Sequence, residues 1–162
     1  FQALSLVRNR SDEDPAGNSI QTFLWFSGSR IYFRNTFMKN FTEIAFTCYP
    51  ATDLAASRAF YEGPLGLAPS EIIPLGDDGG WVEYEVGNQT LCIGKAPGML
   101  PSPDGPSCAL EAVDFDAMIS TLKAAGAQFR MEAFETPVCH MAMVLDPAGN
   151  VVIIHKRKPG RD

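Results

Sequence analysis

The sequence predicts an α+β fold of two tandem β-α-β-β-β modules, and three observations carry that prediction. First, Asp146-Pro147-Ala148-Gly149-Asn150 separates two apolar, β-branched runs, Met141–Leu145 and Val151–Ile154. Proline fixes φ near roughly −65° and Gly or Asn accepts positive φ, so the segment reads as the tight turn of a hairpin. A shorter echo stands at Gly87-Asn88, between Trp81–Val86 and Thr90–Ile93. Second, Asp53 and Asp114 each precede an apolar pattern of helical period, where an aspartate suits the N-cap. Third, the interval from Asp53 to Asp114 nearly equals that from Gly87 to Gly149. An internal duplication accounts for all three.

The elements follow in order. Ile44–Tyr49 reads as a strand ended by Pro50, which cannot donate to a ladder. Thr52 or Asp53 then caps a helix through Leu54, Ala55, Ala56, Phe60 and Tyr61, stopped by Gly63-Pro64. Strands are expected at Ser70–Leu75, Trp81–Val86 and Thr90–Lys95. The segment Ala96–Pro106, with four prolines and two glycines, is a linker. In the second module, Ser107–Val113 is a strand and Asp114 caps a helix with Phe115, Met118, Ile119 and Leu122 on one face. Gly126 ends that helix, and strands follow at Gln128–Phe134, Val138–Leu145 and Val151–His155.

Residues 1–40 differ in texture and are expected to form an N-terminal extension to a domain of residues 41–162, with modules at about 41–96 and 106–158. Arg8–Ser19 is polar and suits a loop or arm. Ile20–Phe26 and Ile31–Phe33 flank Ser27-Gly28-Ser29 and suggest a hairpin, which would pack on the domain or on a partner chain.

Composition narrows the function. The 162 residues carry a net charge of −6 and a pI near 4.9, which disfavours a nucleic-acid surface. The basic Lys156-Arg157-Lys158 with Arg161 is short and reads as a solvated tail. No apolar run approaches the ~18–20 residues of a membrane helix. Cys48, Cys92, Cys108 and Cys139 form no Cys-x-x-Cys motif, each lies in a strand-like run, and all read as buried free thiols. Phe1–Val7 is short for the core of a secretory signal and Arg8–Asp14 is charged, so a cytoplasmic setting is expected.

The segment Asp53–Tyr61 with Leu65-Gly66-Leu67, then Ala109-Leu110-Glu111 before Asp114, then Asp146–Asn150, resembles the vicinal oxygen chelate superfamily. That superfamily includes glyoxalases, extradiol dioxygenases, fosfomycin-modifying enzymes and bleomycin-resistance proteins. The resemblance implies two curved sheets around a shared cavity, often completed by a homodimer. It also implies a divalent metal held by His and Glu from four strands. Counted from Asp53 and Asp114, two ligand positions fall on Phe46 and Ser107. Counted from the two turn glycines, the other two fall on Leu91 and Ile153. Apolar side chains cannot ligate, and a lone Ser hydroxyl is a poor ligand. No metal and no cofactor are therefore expected.

The expected ligand-binding residues are Phe46, Cys48, Trp81, Leu91, Ile93, Ser107, Ile153 and His155, facing an apolar or aromatic small molecule, with a cationic one favoured by the acidic surface. Catalytic candidates are His155, Glu83 and Glu111. His155 is either a base at the cavity or an ordinary strand-end histidine. Glu83 shares a face with Trp81 and Glu85, and that face lines the cavity or meets water. Glu111 shares parity with Ser107 and, if buried, requires a partner. His140 and His155, on hairpin partners, leave open an unusual metal site completed by carboxylates. Two functions are thus in play: a metal-independent binder, and a glyoxalase-like lyase or isomerase.

Overall fold

The computed structural model describes residues 44–160 and four two-residue strands before them. The chain divides into two compact units, Phe1–Thr42 and Glu43–Asp162. In the first, β1 (Asp12–Glu13) pairs antiparallel with β2 (Ser19–Ile20), and β3 (Trp25–Phe26) with β4 (Ser29–Arg30). The β3–β4 pair brackets Ser27-Gly28; the strand expected at Ile31–Phe33 and the rest of residues 1–43 lie outside the described residues.

The second unit is a duplicated β-α-β-β-β. Its first module holds β5 (Phe46–Pro50), α1 (Leu54–Glu62), β6 (Pro69–Leu75), β7 (Gly79–Val86) and β8 (Gln89–Lys95). Its second holds β9 (Cys108–Glu111), α2 (Phe115–Ala124), β10 (Gln128–Glu135), β11 (Cys139–Leu145) and β12 (Val151–Arg157). The sheets run β5-β8-β7-β6 and β9-β12-β11-β10, curved but not closed. In each, the first strand pairs in parallel with the last, because the helix returns the chain across the sheet. The caps are as expected: Asp53 Oδ1 accepts from Ala56 N at 3.0 Å, and Asp114 Oδ1 from Ala117 N at 3.0 Å. Pro50 does not end β5 early; it is the last residue of the strand, opposite Gly94.

Alternation divides each strand between two faces. Tyr49, Val82, Tyr84, Leu91 and Ile93 of the first sheet, and Ala142, Val144, Val152 and Ile154 of the second, join Tyr61, Ile119 and Leu122 of the helices in one continuous core. The opposite faces of both sheets, open among the described residues, carry the exposed Phe46, Ile73 and Met131.

The Asp146–Asn150 turn does more than reverse the chain. Asp146, 5 % exposed, accepts the Ala148 and Asn150 amides on Oδ1 at 2.9 and 2.8 Å. Its Oδ2 accepts the Tyr61 hydroxyl at 3.1 Å and the Asn150 side-chain amide at 2.8 Å. Asn150 also donates to the Pro50 carbonyl at 2.8 Å and accepts from Ser102 N at 3.2 Å. Tyr49 donates to the Val151 carbonyl at 2.8 Å and accepts from the Cys108 amide. One turn of the second module is thus fastened to β5, α1 and the linker.

Candidate functional site

The parallel first-to-last pairing decides which side chains meet on the open faces. In the first module Cys48, Cys92 and Glu83 are successive Cα partners across β5, β8 and β7, and Glu71 of β6 extends the row. One row along, Pro50, Gly94 and Trp81 are partners in the same way. The Trp81 ring lies over Gly94, where an added Cβ would meet Trp81 Cε3 at 2.9 Å. The Phe46 ring meets Trp81 edge-on at 5.3 Å. Trp81 Nε1 donates to Glu83 Oε1 at 2.8 Å, so that carboxylate is tied to the indole rather than free on the open face. Glu85, on the same face, is exposed and accepts from Thr90.

In the second module Ile153 pairs with Ala109 and Met143, while His155 pairs with Glu111 and Met141. Glu111 is exposed rather than buried, and it is paired: Glu111 Oε2 bonds His155 Nδ1, and Oε1 accepts the Arg157 amide at 2.8 Å. Desolvation raises the Glu111 pKa, but the Arg157 amide and His155 outweigh it and leave the carboxyl below its ordinary value. A carboxylate on Nδ1 fixes the ring and leaves Nε2 to meet a ligand. Ser107 precedes β9 and is exposed.

Three sequence expectations are corrected. Leu91 and Ile93 do not face the open side; at 3 % and 0 % exposure they lie in the core between sheet and helix. Counting from the turn glycines caused the error. The two-residue Gly87-Asn88 turn joins strands paired at Val86 and Gln89, whereas five residues separate the Leu145–Val151 pair. Between matching pairs, Glu85–Thr90 and Leu145–Val151, the turns enclose four and five residues, so equal counts from the two glycines slip by one residue and invert the face. Measured instead by parallel pairing and the capping aspartates, the counterpart of Ile153 is Cys92. Finally, His140 and His155 pair with Lys156 and Met141 respectively, so they are one residue out of phase and project from opposite faces. His140 packs on Phe115 at 5.8 Å, in a cleft of 300 Å³ with Asp114, Asp116 and Lys156, and shares no metal site with His155.

The residues at the family's ligand positions do not fit a divalent metal drawn from four strands. Phe46 and Ile153 offer no lone pair, Ser107 offers one hydroxyl, and Cys92 is the single good donor. Among the described residues no three His, Cys, Asp or Glu are grouped as a metal would require. A second cleft, of 390 Å³, lies on the helix side between Phe60, Pro64, Gly126 and Pro147, away from either open face. No helix among the described residues is long and apolar enough to cross a membrane.

The sequence did not single out Cys92 or the Glu111–His155 pairing. The signal lay in the topology: with first and last strands parallel, residues at equal distance along them become neighbours.

Comparison with known proteins agrees with this fold. The chain is similar to TnmS3, an antibiotic binding protein from Streptomyces sp. CB03234, at 21% identity and a TM-score of 0.60, over 74% of this chain and 98% of that one. It is similar to lactoylglutathione lyase from Agrobacterium tumefaciens at 22% identity and a TM-score of 0.55, over 71% and 93%. The trypanothione-dependent glyoxalase I of Leishmania major gives 18% identity and a TM-score of 0.59, over 71% and 86%. No curated protein matches the sequence. The profile of the Glyoxalase/Bleomycin resistance protein/Dioxygenase superfamily matches residues 43–154. With its duplicated β-α-β-β-β and Asp-Pro-x-Gly-Asn turn, the chain belongs to that superfamily.

Proposed function

We propose that this protein binds an apolar or aromatic small molecule on its open sheet faces without a metal. The observation that carries the reading is the chemistry at the family's ligand positions. Phe46 and Ile153 replace donors with hydrocarbon, and Phe46 lies beside Trp81. Phe46 is 50 % exposed, and Ile73 and Met131 on the same faces are 37 % and 45 % exposed. Uncovered apolar surface of this kind suits a flat organic molecule, with His155 Nε2 as a polar anchor at one end. A second copy of the chain would complete the cavity, and light scattering at micromolar concentration would report a dimer.

The test is a thermal-shift screen of metal-stripped protein against divalent metals and against small aromatic or cationic compounds. A compound at 100 Kd stabilises by about 2.7 kcal/mol, several degrees for a domain of this size. The binding reading predicts a shift with an organic compound that persists in chelator. A shift with a metal alone would overturn it.

The Glu111–His155 pair supports a second reading, a lyase or isomerase in which His155 Nε2 removes a proton next to a carbonyl. Deuterium exchange into dihydroxyacetone, followed by NMR, tests it. Exchange faster than buffer that is lost in His155→Gln would place this reading first.

A further inference from the structure

Cys48 and Cys92 stand 44 residues apart in sequence (92 − 48) but are direct Cα partners in the parallel β5–β8 ladder, on the same face. Neighbouring strands run ~4.8 Å apart, inside the ~4.4–6.8 Å that a disulfide spans between Cα atoms. Both are free thiols, Cys48 partly exposed and Cys92 buried. The Cys92 sulfur donates to the Thr47 carbonyl at 3.4 Å. The other two cysteines have no such neighbour: Cys108 is opposite Val152, and Cys139 is opposite Arg157 and bonded to Thr136.

We propose that Cys48 and Cys92 form a thiol–disulfide exchange site for a small disulfide of the glutathione class, with Cys48 attacking and Cys92 resolving. The Cys48 thiolate attacks one sulfur of the small disulfide. A Cys48–S bond forms as the disulfide bond breaks, and the other half leaves as a thiolate that takes up a proton. Cys92 then gives up its proton and attacks the Cys48 sulfur, which expels the second half. Two protein thiols are oxidised and one small disulfide is reduced to two thiols.

The roles follow from the environments. The Cys92 thiol beside it lowers the Cys48 pKa against the effect of burial. The neighbouring Cys48, burial and the charge of Glu83 push the Cys92 thiol up. The partly exposed sulfur is the one a small disulfide can reach, and the buried one keeps its proton until the mixed disulfide has formed. Closing the bond would staple β5 to β8 in the row beside Phe46 and Trp81, so oxidation would reshape the first open face.

The experiment treats the full chain with oxidised glutathione, blocks remaining thiols, and maps peptides by mass spectrometry. The expected result is a Cys48–Cys92 linked peptide that has lost two hydrogens and is restored by dithiothreitol. Cys92→Ser should trap one glutathionyl group on Cys48, whereas Cys48→Ser should leave Cys92 unmodified. Wild-type protein with both thiols free after treatment would overturn the proposal. So would Cys92 in Cys48→Ser gaining the adduct as fast as Cys48 does in Cys92→Ser. Should either serine variant lose its native circular dichroism, the wild-type peptide map decides alone.

Discussion

The two modules share a backbone and differ on the face that backbone leaves open. Where the first module carries Cys48, Cys92 and Glu83, the second carries Ala109, Ile153 and Met143 at the matching rows. Where the second carries Glu111, His155 and Met141, the first carries Pro50, Gly94 and Trp81. Each module thus keeps one polar row and one apolar row, but in opposite order. The core faces show no such divergence: both are aliphatic and aromatic, because close packing tolerates little else. Duplication preserved what folding requires and left the open faces to specialise, thiols and an indole on one side, a carboxylate–imidazole pair on the other.

The largest expected effect comes from breaking the join between the modules. Asp146→Ala removes a buried acceptor serving four donors from the turn and from Tyr61, and it should cost about 3–5 kcal/mol, read as a fall in urea midpoint. Tyr61→Phe deletes one of those donors and should cost about 1 kcal/mol. The ratio of the two separates the turn's own bonds from its reach into the first module.

Next comes the asymmetry of the open faces. Trp81→Ala removes the ring seated on Gly94 and against Phe46, and should weaken binding of an aromatic ligand at least ~10-fold by calorimetry. Met141→Ala, at the matching address in the second module, should weaken it less. Equal losses would mean the two faces contribute alike.

A smaller effect is expected at Glu111→Gln. The amide can still bond His155, but the carboxylate that fixes the ring is gone. The 15N shifts of the His155 ring should report a changed tautomer ratio, with little change in stability, because both side chains are partly exposed. Unchanged shifts would remove the pair from any functional account.

The smallest effect is electrostatic. Glu62 bonds Arg58 at 2.6 Å and accepts from Tyr84 at 3.2 Å, and the Arg58 bond holds its carboxyl below the ordinary 4.5. A depressed carboxyl stabilises the fold above its unfolded pKa and loses that contribution as pH falls through the folded value. Glu62→Gln should therefore cost under ~1 kcal/mol at pH 7 and progressively less as acid protonates the carboxyl, measured as urea midpoints along an acid titration.

Much of the fold was legible in the residues. Asp53 and Asp114 cap helices because their carboxylates reach the amides three residues on, and that geometry is local. The Asp-Pro-x-Gly-Asn turn was legible for the same reason, with Gly149 at a φ of 91°. Its fastening to Tyr61, Pro50 and Ser102 was not, since those contacts depend on how the modules come together. Leu91 and Ile93 were misplaced because facing depends on strand register, and register depends on turn length. Cys92 and the Glu111 partner were hidden by sequence distance, which only the parallel ladder closes.

The central claim is that an organic molecule, and not a metal, occupies the open faces. The most direct measurement is amide NMR of metal-stripped protein titrated with the organic compound that shifts it most in the thermal screen, with and without chelator. The account predicts shifts clustered at Phe46, Trp81, Ile153 and His155, identical in chelator. Perturbations confined to the helix-side clefts at Phe60 and Phe115, or shifts that appear only when a divalent metal is restored, would contradict it.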